Sequence, residues 1–192
     1  MNIPVTRAAE GFGRRAFTIA DMERMVTAGV IAPDERLELL GGEIVPMSPK
    51  GLRHEAIKAA LTLYWGRICP EGFAFVQETG LRLDPQNYLE PDFIVFARTQ
   101  RLADIKGPDV LLAVEVADSS LDYDLRRKPL LYADFGVREL WVIDAARRVV
   151  HRHDGAMPEG YRNIDQKGSA DRLPPRHAPD AFGFVLDELE VL

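Results

Sequence analysis

Three charged side chains stand at positions that the surrounding sequence marks as buried. Asp92 follows a proline at the start of an apolar run, and Glu115 lies inside the apolar run 110–116. Lys128 falls on the apolar face of a predicted helix. A charged side chain inside an apolar segment is costly unless it is paired or binds a metal. An aspartate, a glutamate and a lysine placed in this way therefore make a candidate active site.

Two carboxylates and a lysine suit the hydrolysis of a phosphodiester bond. That reaction needs a nucleophilic water, neutralisation of charge at phosphorus and stabilisation of the leaving oxygen, and Mg²⁺ can serve all three. Mg²⁺ prefers one or two carboxylates together with waters and phosphate oxygens. Asp92 and Glu115 on neighbouring strands could flank one such ion, with the carbonyl of Val116 as a further ligand. Lys128 would then stabilise the attacking hydroxide or the transition state.

Each of these residues also has an ordinary structural interpretation. Asp92 could be a turn residue, and Glu115 could form a buried ion pair, for which Lys128 itself is a candidate partner. Lys128 could instead form a surface pair with Asp124, four residues earlier on the same helix. The order and spacing of the three residues together favour the metal site. If Lys128 is catalytic, Lys128→Met should leave the melting temperature unchanged or higher, whereas a structural ion pair predicts a large drop.

Composition bounds the class of protein. The chain has 192 residues, of which 46% are hydrophobic and 28% charged, as in an average globular protein. The longest apolar runs fall short of the ~20 residues that a membrane span needs, and the single cysteine, Cys69, fits a reducing cytoplasm. The net charge of −6 counts against a globally basic nucleic-acid-binding surface. It is compatible with a nuclease, because acidic metal ligands contribute to that total.

A helix and a hairpin are predicted in the chain before Asp92. We expect residues 1–16 to form a loose tail and residues 17–192 a single domain. Thr18 is a predicted helix N-cap, and a hairpin is predicted to turn at Gly41-Gly42. Glu38 lies in this hairpin, where alternation sets it opposite the neighbouring leucines and favours a solvent-facing side chain.

Two helices and three interior strands are predicted to form the framework around the site residues. The clearest helix spans about 54–68, and His54 extends its apolar face. A buried, hydrogen-bonded histidine is therefore expected there, with contact to a substrate phosphate as a second interpretation. The strand-like runs are 93–96, 110–116 and 139–144. Pro129 would kink the helix that carries Lys128 if it stood outside the first turn of that helix. From Asp154 onward the sequence is expected to be irregular, apart from a short strand-like run at 182–186.

An ordered series of motifs resembles one known family. The series comprises Pro91-Asp92, the segment 115–120 (EVADSS), Asp124, Lys128, Tyr132 and the segment 136–144 (GVRELWVID). It resembles the Uma2 family, also called DUF820, whose members are grouped with endonucleases of the PD-(D/E)XK restriction-endonuclease-like superfamily. The resemblance extends upstream to Phe17-Thr18, the segment 37–43 and His54, and so covers roughly residues 17–190.

The resemblance implies an α/β fold with a restriction-endonuclease-like core, in which a central mixed β-sheet is flanked by helices, with an N-terminal helix and hairpin. Asp92 and Glu115 match the metal-binding acids. The superfamily lysine usually stands two residues after the second acid, where this chain has Ala117, and Lys128 is the lysine that matches instead. Glu38 matches a recurrent family glutamate, which makes it a catalytic candidate.

The function implied is a Mg²⁺-dependent endonuclease that cleaves DNA, with Mn²⁺ as a substitute and with His54 and Tyr132 as candidate substrate contacts. A different interpretation is a catalytically silent module of the same fold that binds DNA or protein. A third is a metal-dependent hydrolase of another phosphate ester. A homodimer is plausible, since cutting both strands of a duplex usually needs two sites.

Overall fold

A computed structural model describes residues 5–7 and 13–189 of the chain. The helices in these residues are α1 (Ile19–Thr27), α2 (Leu52–Ile68), α3 (Leu121–Arg126) and α4 (Lys128–Asp134). The strands are β1 (Val5–Arg7), β2 (Gly13–Arg15), β3 (Leu37–Leu40), β4 (Glu43–Pro46), β5 (Phe73–Gln77), β6 (Leu81–Asp84), β7 (Asn87–Leu89), β8 (Phe93–Ala97), β9 (Val110–Ala117), β10 (Glu139–Asp144), β11 (Val149–Met157), β12 (Gly160–Lys167), β13 (Arg172–Leu173) and β14 (Phe184–Val185).

The described residues group into two compact units. The first unit takes its residues from 1–48 and 80–90, and the second from 49–79 and 91–192. The single domain expected for residues 17–192 stays a prediction. The tail expected at residues 1–16 lies partly outside the described residues. Of that segment, β1 pairs antiparallel with β2.

The first unit contains the predicted helix and hairpin. Thr18 caps α1, and its hydroxyl accepts a hydrogen bond from the backbone N–H of Asp21 at 3.1 Å. The hairpin of β3 and β4 turns at Gly41 and Gly42, whose φ angles of +58° and +82° are the positive values that a tight hairpin turn requires. This hairpin belongs to a four-stranded sheet with the order β4-β3-β7-β6.

The second unit is built on a six-stranded sheet with the order β12-β11-β10-β9-β8-β5. Strands β9 and β10 run parallel and the other neighbours are antiparallel, so the sheet is mixed, as expected. One face carries Val114, Val116 and Trp141 and packs against α2, with Trp65 of α2 at the centre of that core. The other face carries Glu115 and meets α4. The α/β fold predicted from the sequence is confirmed.

Two expectations about the second unit concerned Pro129 and the residues from Asp154 onward. The helix after β9 is interrupted at Arg127, and α4 begins at Lys128 with Pro129 in its first turn, where a missing N–H is tolerated. The expectation of irregular structure from Asp154 onward was wrong, because β11 continues to Met157 and β12 pairs with it along its length. Strand β12 lies at the edge of the sheet and is largely polar, so it lacks the apolar alternation by which an interior strand is recognised.

Candidate active site

The two predicted metal-binding acids lie at one end of neighbouring strands. Asp92 directly precedes β8, and Glu115 lies near the end of β9. The antiparallel register that pairs Phe93 with Val114, continued by one residue, places Asp92 beside Glu115. A hydrogen bond ties Asp92 to the residue after Glu115, because the Val116 N–H donates to Asp92 Oδ2 at 2.8 Å. The structure therefore brings together two acids that are 23 residues apart in the chain.

Asp92 is buried and held in its ionised form. His54 Nε2 lies 3.0 Å from Asp92 Oδ1, and because an ionised carboxylate only accepts hydrogen bonds, that nitrogen carries the proton. Burial is the largest single influence on the pKa of Asp92 and acts to raise it. Hydrogen bonds from His54 and Val116, together with the nearby positive charge, outweigh burial and keep the pKa below its ordinary value. The expectation of a buried, hydrogen-bonded His54 is confirmed, and its partner is a site residue.

Glu115 is bound by two side chains from α4. The Lys128 ammonium donates to Glu115 Oε1 at 3.1 Å, and the Tyr132 hydroxyl donates to the same oxygen at 2.6 Å. Lys128 and Tyr132 are four residues apart, so one face of the helix presents both groups to the strand. All three side chains are buried, with Tyr132 fully so. The ion pair between Glu115 and Lys128 that the sequence allowed is therefore present.

Asp124 is a further member of this cluster, and its sequence context suggested only a surface partner of Lys128 and a part of the family motif series. Lys128 Nζ lies 3.4 Å from Asp124 Oδ1, and the Ser120 hydroxyl donates to Asp124 Oδ2. The i,i+4 pair that the sequence allowed exists, but only 4% of the Asp124 side chain is exposed, so it is a buried pair and not a surface pair. One ammonium is thus shared by two buried carboxylates. The sequence signal that could have revealed this was Asp124 preceding the apolar stripe at the same spacing as Lys128 and Tyr132.

Beside Asp92 lies a cation that the sequence did not single out. Lys50 Nζ is 3.8 Å from Asp92 Oδ1, and the same ammonium pairs closely with Glu78. Glu78 also receives a hydrogen bond from Lys58 at 2.6 Å. Lys50 stands in the polar stretch before α2, where no periodicity distinguishes one lysine from another.

Glu38 lies in the first unit, apart in the chain from the other candidates. Its side chain is buried, and Oε1 accepts a hydrogen bond from the Glu90 N–H at 3.0 Å. The expectation of a solvent-facing glutamate was wrong, because every residue of β3 is buried and strand alternation therefore does not separate a wet face from a dry one. The catalytic role suggested for Glu38 stays a prediction.

The donor groups near Asp92 and Glu115 are compatible with a hard divalent cation. Across residues 5–7 and 13–189, no group of three or more histidine, cysteine, aspartate or glutamate side chains lies close enough together to hold a metal ion. Mg²⁺ is commonly bound by one or two carboxylates and completes its shell with waters and phosphate oxygens. Two carboxylates on adjacent strands, one of them with a lowered pKa, match that donor chemistry. The metal roles of Asp92, Glu115 and the Val116 carbonyl stay predictions.

Comparison with known proteins decides the family. The model of the Uma2 family, described as "Putative restriction endonuclease", matches residues 19–186. The chain belongs to the Uma2 family. The matched segment spans both units and includes every candidate site residue of this Uma2 protein. The sequence-based recognition of the family is thereby confirmed.

A solved structure shares the Uma2 fold described above. It is described as that of "a putative nuclease belonging to DUF820" from Anabaena variabilis ATCC 29413, and it is 14% identical to this Uma2 chain. The match has a TM-score of 0.65 and covers 90% of this chain and 97% of that one. No curated protein sequence matches the chain. Among the described residues, no helix has both the length and the apolar character to cross a membrane.

Proposed function

We propose that this Uma2 protein is a metal-dependent endonuclease that hydrolyses phosphodiester bonds in DNA. The observation that supports the proposal most strongly is the pair of buried acids, Asp92 and Glu115, on neighbouring strands of one sheet. The family description of a restriction endonuclease supports DNA as the substrate. The lone cysteine, Cys69, is compatible with the cytoplasmic location that we expect for the enzyme.

The roles of the residues follow from their contacts. Asp92, Glu115 and the Val116 carbonyl would hold Mg²⁺, or Mn²⁺ in its place. When bound, such an ion lowers the pKa of a coordinated water and offsets negative charge on the phosphate. His54 and the Val116 N–H orient the Asp92 carboxylate by binding one oxygen each.

The helix α4 supplies the second part of the proposed machinery. Lys128 lies 3.1 Å from Glu115 and brings a positive charge to a buried site, where a point charge acts strongly on a developing oxyanion. Tyr132 holds the same Glu115 oxygen and so limits the rotation of the carboxylate. Tyr132 and His54 could contact the substrate if their side chains turned from Glu115 and Asp92 toward the phosphate.

Metal-dependent nicking of plasmid DNA tests the proposal. Supercoiled plasmid is incubated with the wild type, Asp92→Asn and Glu115→Gln, each with Mg²⁺, with Mn²⁺ and with a chelator. We expect nicking by the wild type only when a divalent metal is present, and a loss of at least about 100-fold with either substitution, as for removal of a group acting in the transition state. The matched control is Asp122→Asn, because the Asp122 side chain is 91% exposed and lies on α3 near the same site.

Three outcomes would contradict the proposal. Wild-type protein that nicks nothing but retards DNA on a gel would indicate the catalytically silent binding module. Variants that nick as well as the wild type would remove the acids from the mechanism. Cleavage of small phosphodiesters with no cleavage of oligonucleotides would indicate a hydrolase of another phosphate ester.

We also propose that the active form is a homodimer, since double-strand cleavage usually requires two active sites. Analytical ultracentrifugation at the concentration of the cleavage assay tests this point. A protein that is monomeric under those conditions and still linearises plasmid in one binding event would contradict it.

A further inference from the structure

Lys50 occupies a position that ties it to the candidate metal site. It immediately precedes Gly51, the N-cap of α2, and its side chain is only 17% exposed. Its ammonium lies 3.8 Å from Asp92 Oδ1, the oxygen that also faces His54. A second lysine thus stands beside the first acid, as Lys128 stands beside the second.

The start of α2 lies against the residue that follows β9. A Cβ at Gly51 would lie 2.2 Å from Asp118 Oδ2, so a larger residue there would require that carboxylate to move. Asp118 directly follows β9, and its negative charge is favourable at the positive end of a helix dipole. The Lys50 ammonium itself is placed by its two carboxylate neighbours, Glu78 and Asp92.

The charge of Lys50 has two consequences for Asp92. Without a metal, the ammonium offsets the buried carboxylate and contributes to the lowered pKa of Asp92. With a divalent cation on Asp92, the same ammonium would repel the ion, since the two positive charges would share one carboxylate. A lysine also has a flexible stem with three donors, so it can turn from a carboxylate to a nearby phosphate oxygen.

We propose that Lys50 is a second active-site lysine, which acts as the counter-ion of Asp92 in the metal-free protein and contacts the substrate phosphate once Asp92 ligates the metal. This inference rests on the proposed function. Phosphate oxygens that share the ion with Asp92 would lie within the reach of the Lys50 stem. Lys50 thus opposes metal binding and supports cleavage.

Lys58 provides a matched control. Lys50 and Lys58 both pair with Glu78, and both are half-buried, with 17% of the Lys50 side chain and 11% of the Lys58 side chain exposed. The second carboxylate that Lys58 contacts is Glu55, at 3.2 Å, where Lys50 contacts Asp92. If the effect of Lys50→Met on metal affinity or cleavage came only from the loss of a partner for Glu78, Lys58→Met should show the same effect.

Mn²⁺ affinity, measured by titration calorimetry, tests the inference together with single-turnover cleavage. We expect Lys50→Met to bind Mn²⁺ about tenfold more tightly, which corresponds to about 1.4 kcal/mol, because a nearby positive charge is removed. Its cleavage rate should fall about 100-fold or more, since the phosphate loses a point charge. Lys58→Met should match the wild type in both measurements. Lys50→Arg, which keeps the charge, should return the Mn²⁺ affinity to within about threefold of the wild type.

The possible failures are distinguishable. Wild type that binds Mn²⁺, with Lys50→Met binding equally well, overturns the role of Lys50 and leaves the metal site standing. An equal change in Lys58→Met assigns the effect to Glu78 and also overturns it. Wild type that binds no Mn²⁺ overturns the proposed metal site and the role of Lys50 together. Lys50→Gln gives the same tests if Lys50→Met does not fold, since it also removes the positive charge.

Discussion

Replacing Lys128 by methionine should destabilise the protein strongly. The Lys128 ammonium lies 3.1 Å from Glu115 and 3.4 Å from Asp124, and only 4–5% of each of the three side chains is exposed. Removing one partner of a buried ion pair leaves an uncompensated buried charge and costs about 3–5 kcal/mol. For a protein of this size each kcal/mol shifts the melting temperature by about 2–4 °C, so Lys128→Met should lower it by about 6–20 °C.

Urea unfolding and calorimetry of the wild type and three variants measure this effect. Arg126→Met is the control, because Arg126 is 78% exposed and its pair with Asp122 should contribute less than about 1 kcal/mol. The double variant Lys128→Met/Glu115→Gln should recover part of the loss, since it removes one of the two carboxylates left unpaired. A Lys128→Met protein that melts at or above the wild-type temperature would refute the shared-ammonium reasoning.

This prediction revises the one made from the sequence. An apolar stripe around Lys128 suggested that methionine would be tolerated if the lysine were catalytic. The structure shows a lysine that neutralises two acids, so a drop in melting temperature no longer excludes a catalytic role. Cleavage must therefore be measured at a temperature at which the variant is still folded.

Two further predictions concern buried polar groups outside the α4 cluster. Burial and the charge of His151 lower the pKa of His153 to about 4, and among the described residues neither ring nitrogen of His153 has a hydrogen-bond partner. In the unfolded state the histidine pKa is near 6.5, so as the pH falls the unfolded chain binds a proton before the folded protein does. The free energy of unfolding should therefore fall by about 3 kcal/mol more between pH 7 and pH 4 in the wild type than in His153→Leu. Parallel curves of this free energy against pH for the two proteins would contradict the prediction. Glu38→Leu should lower the free energy of unfolding by about 1–3 kcal/mol, because the Glu90 N–H loses its hydrogen-bond acceptor. Glu38→Gln keeps an acceptor and should be more stable than Glu38→Leu. Equal urea midpoints for the two variants would show that this hydrogen bond is unimportant.

Local rules predicted much of the framework. The Thr18 cap and the Gly41-Gly42 turn depend on a few adjacent residues, and the interior strands carry continuous apolar runs. Strand β12 was missed because an edge strand has one partner and can remain polar. The burial of Glu38 was missed because strand alternation predicts one solvent-exposed face, whereas every residue of β3 is buried and neither face is exposed.

The candidate site was predictable where a charged residue stands in an apolar segment. Glu115 and Lys128 stood out because a charge in an apolar segment requires a partner, and the structure supplies one for each. Asp124 and Lys50 were missed as members of the site because they lie in polar segments, where a charged residue needs no explanation. Their significance depends on long-range packing that brings α3 and the start of α2 to the two acids.

The most direct test of the central claim is anomalous diffraction from a crystal of the wild-type protein soaked in Mn²⁺. We predict a peak within about 2.0–2.5 Å of one carboxylate oxygen from Asp92 and one from Glu115. A Mn²⁺ peak bound only elsewhere, with none between these two carboxylates, would contradict the assignment of the metal site.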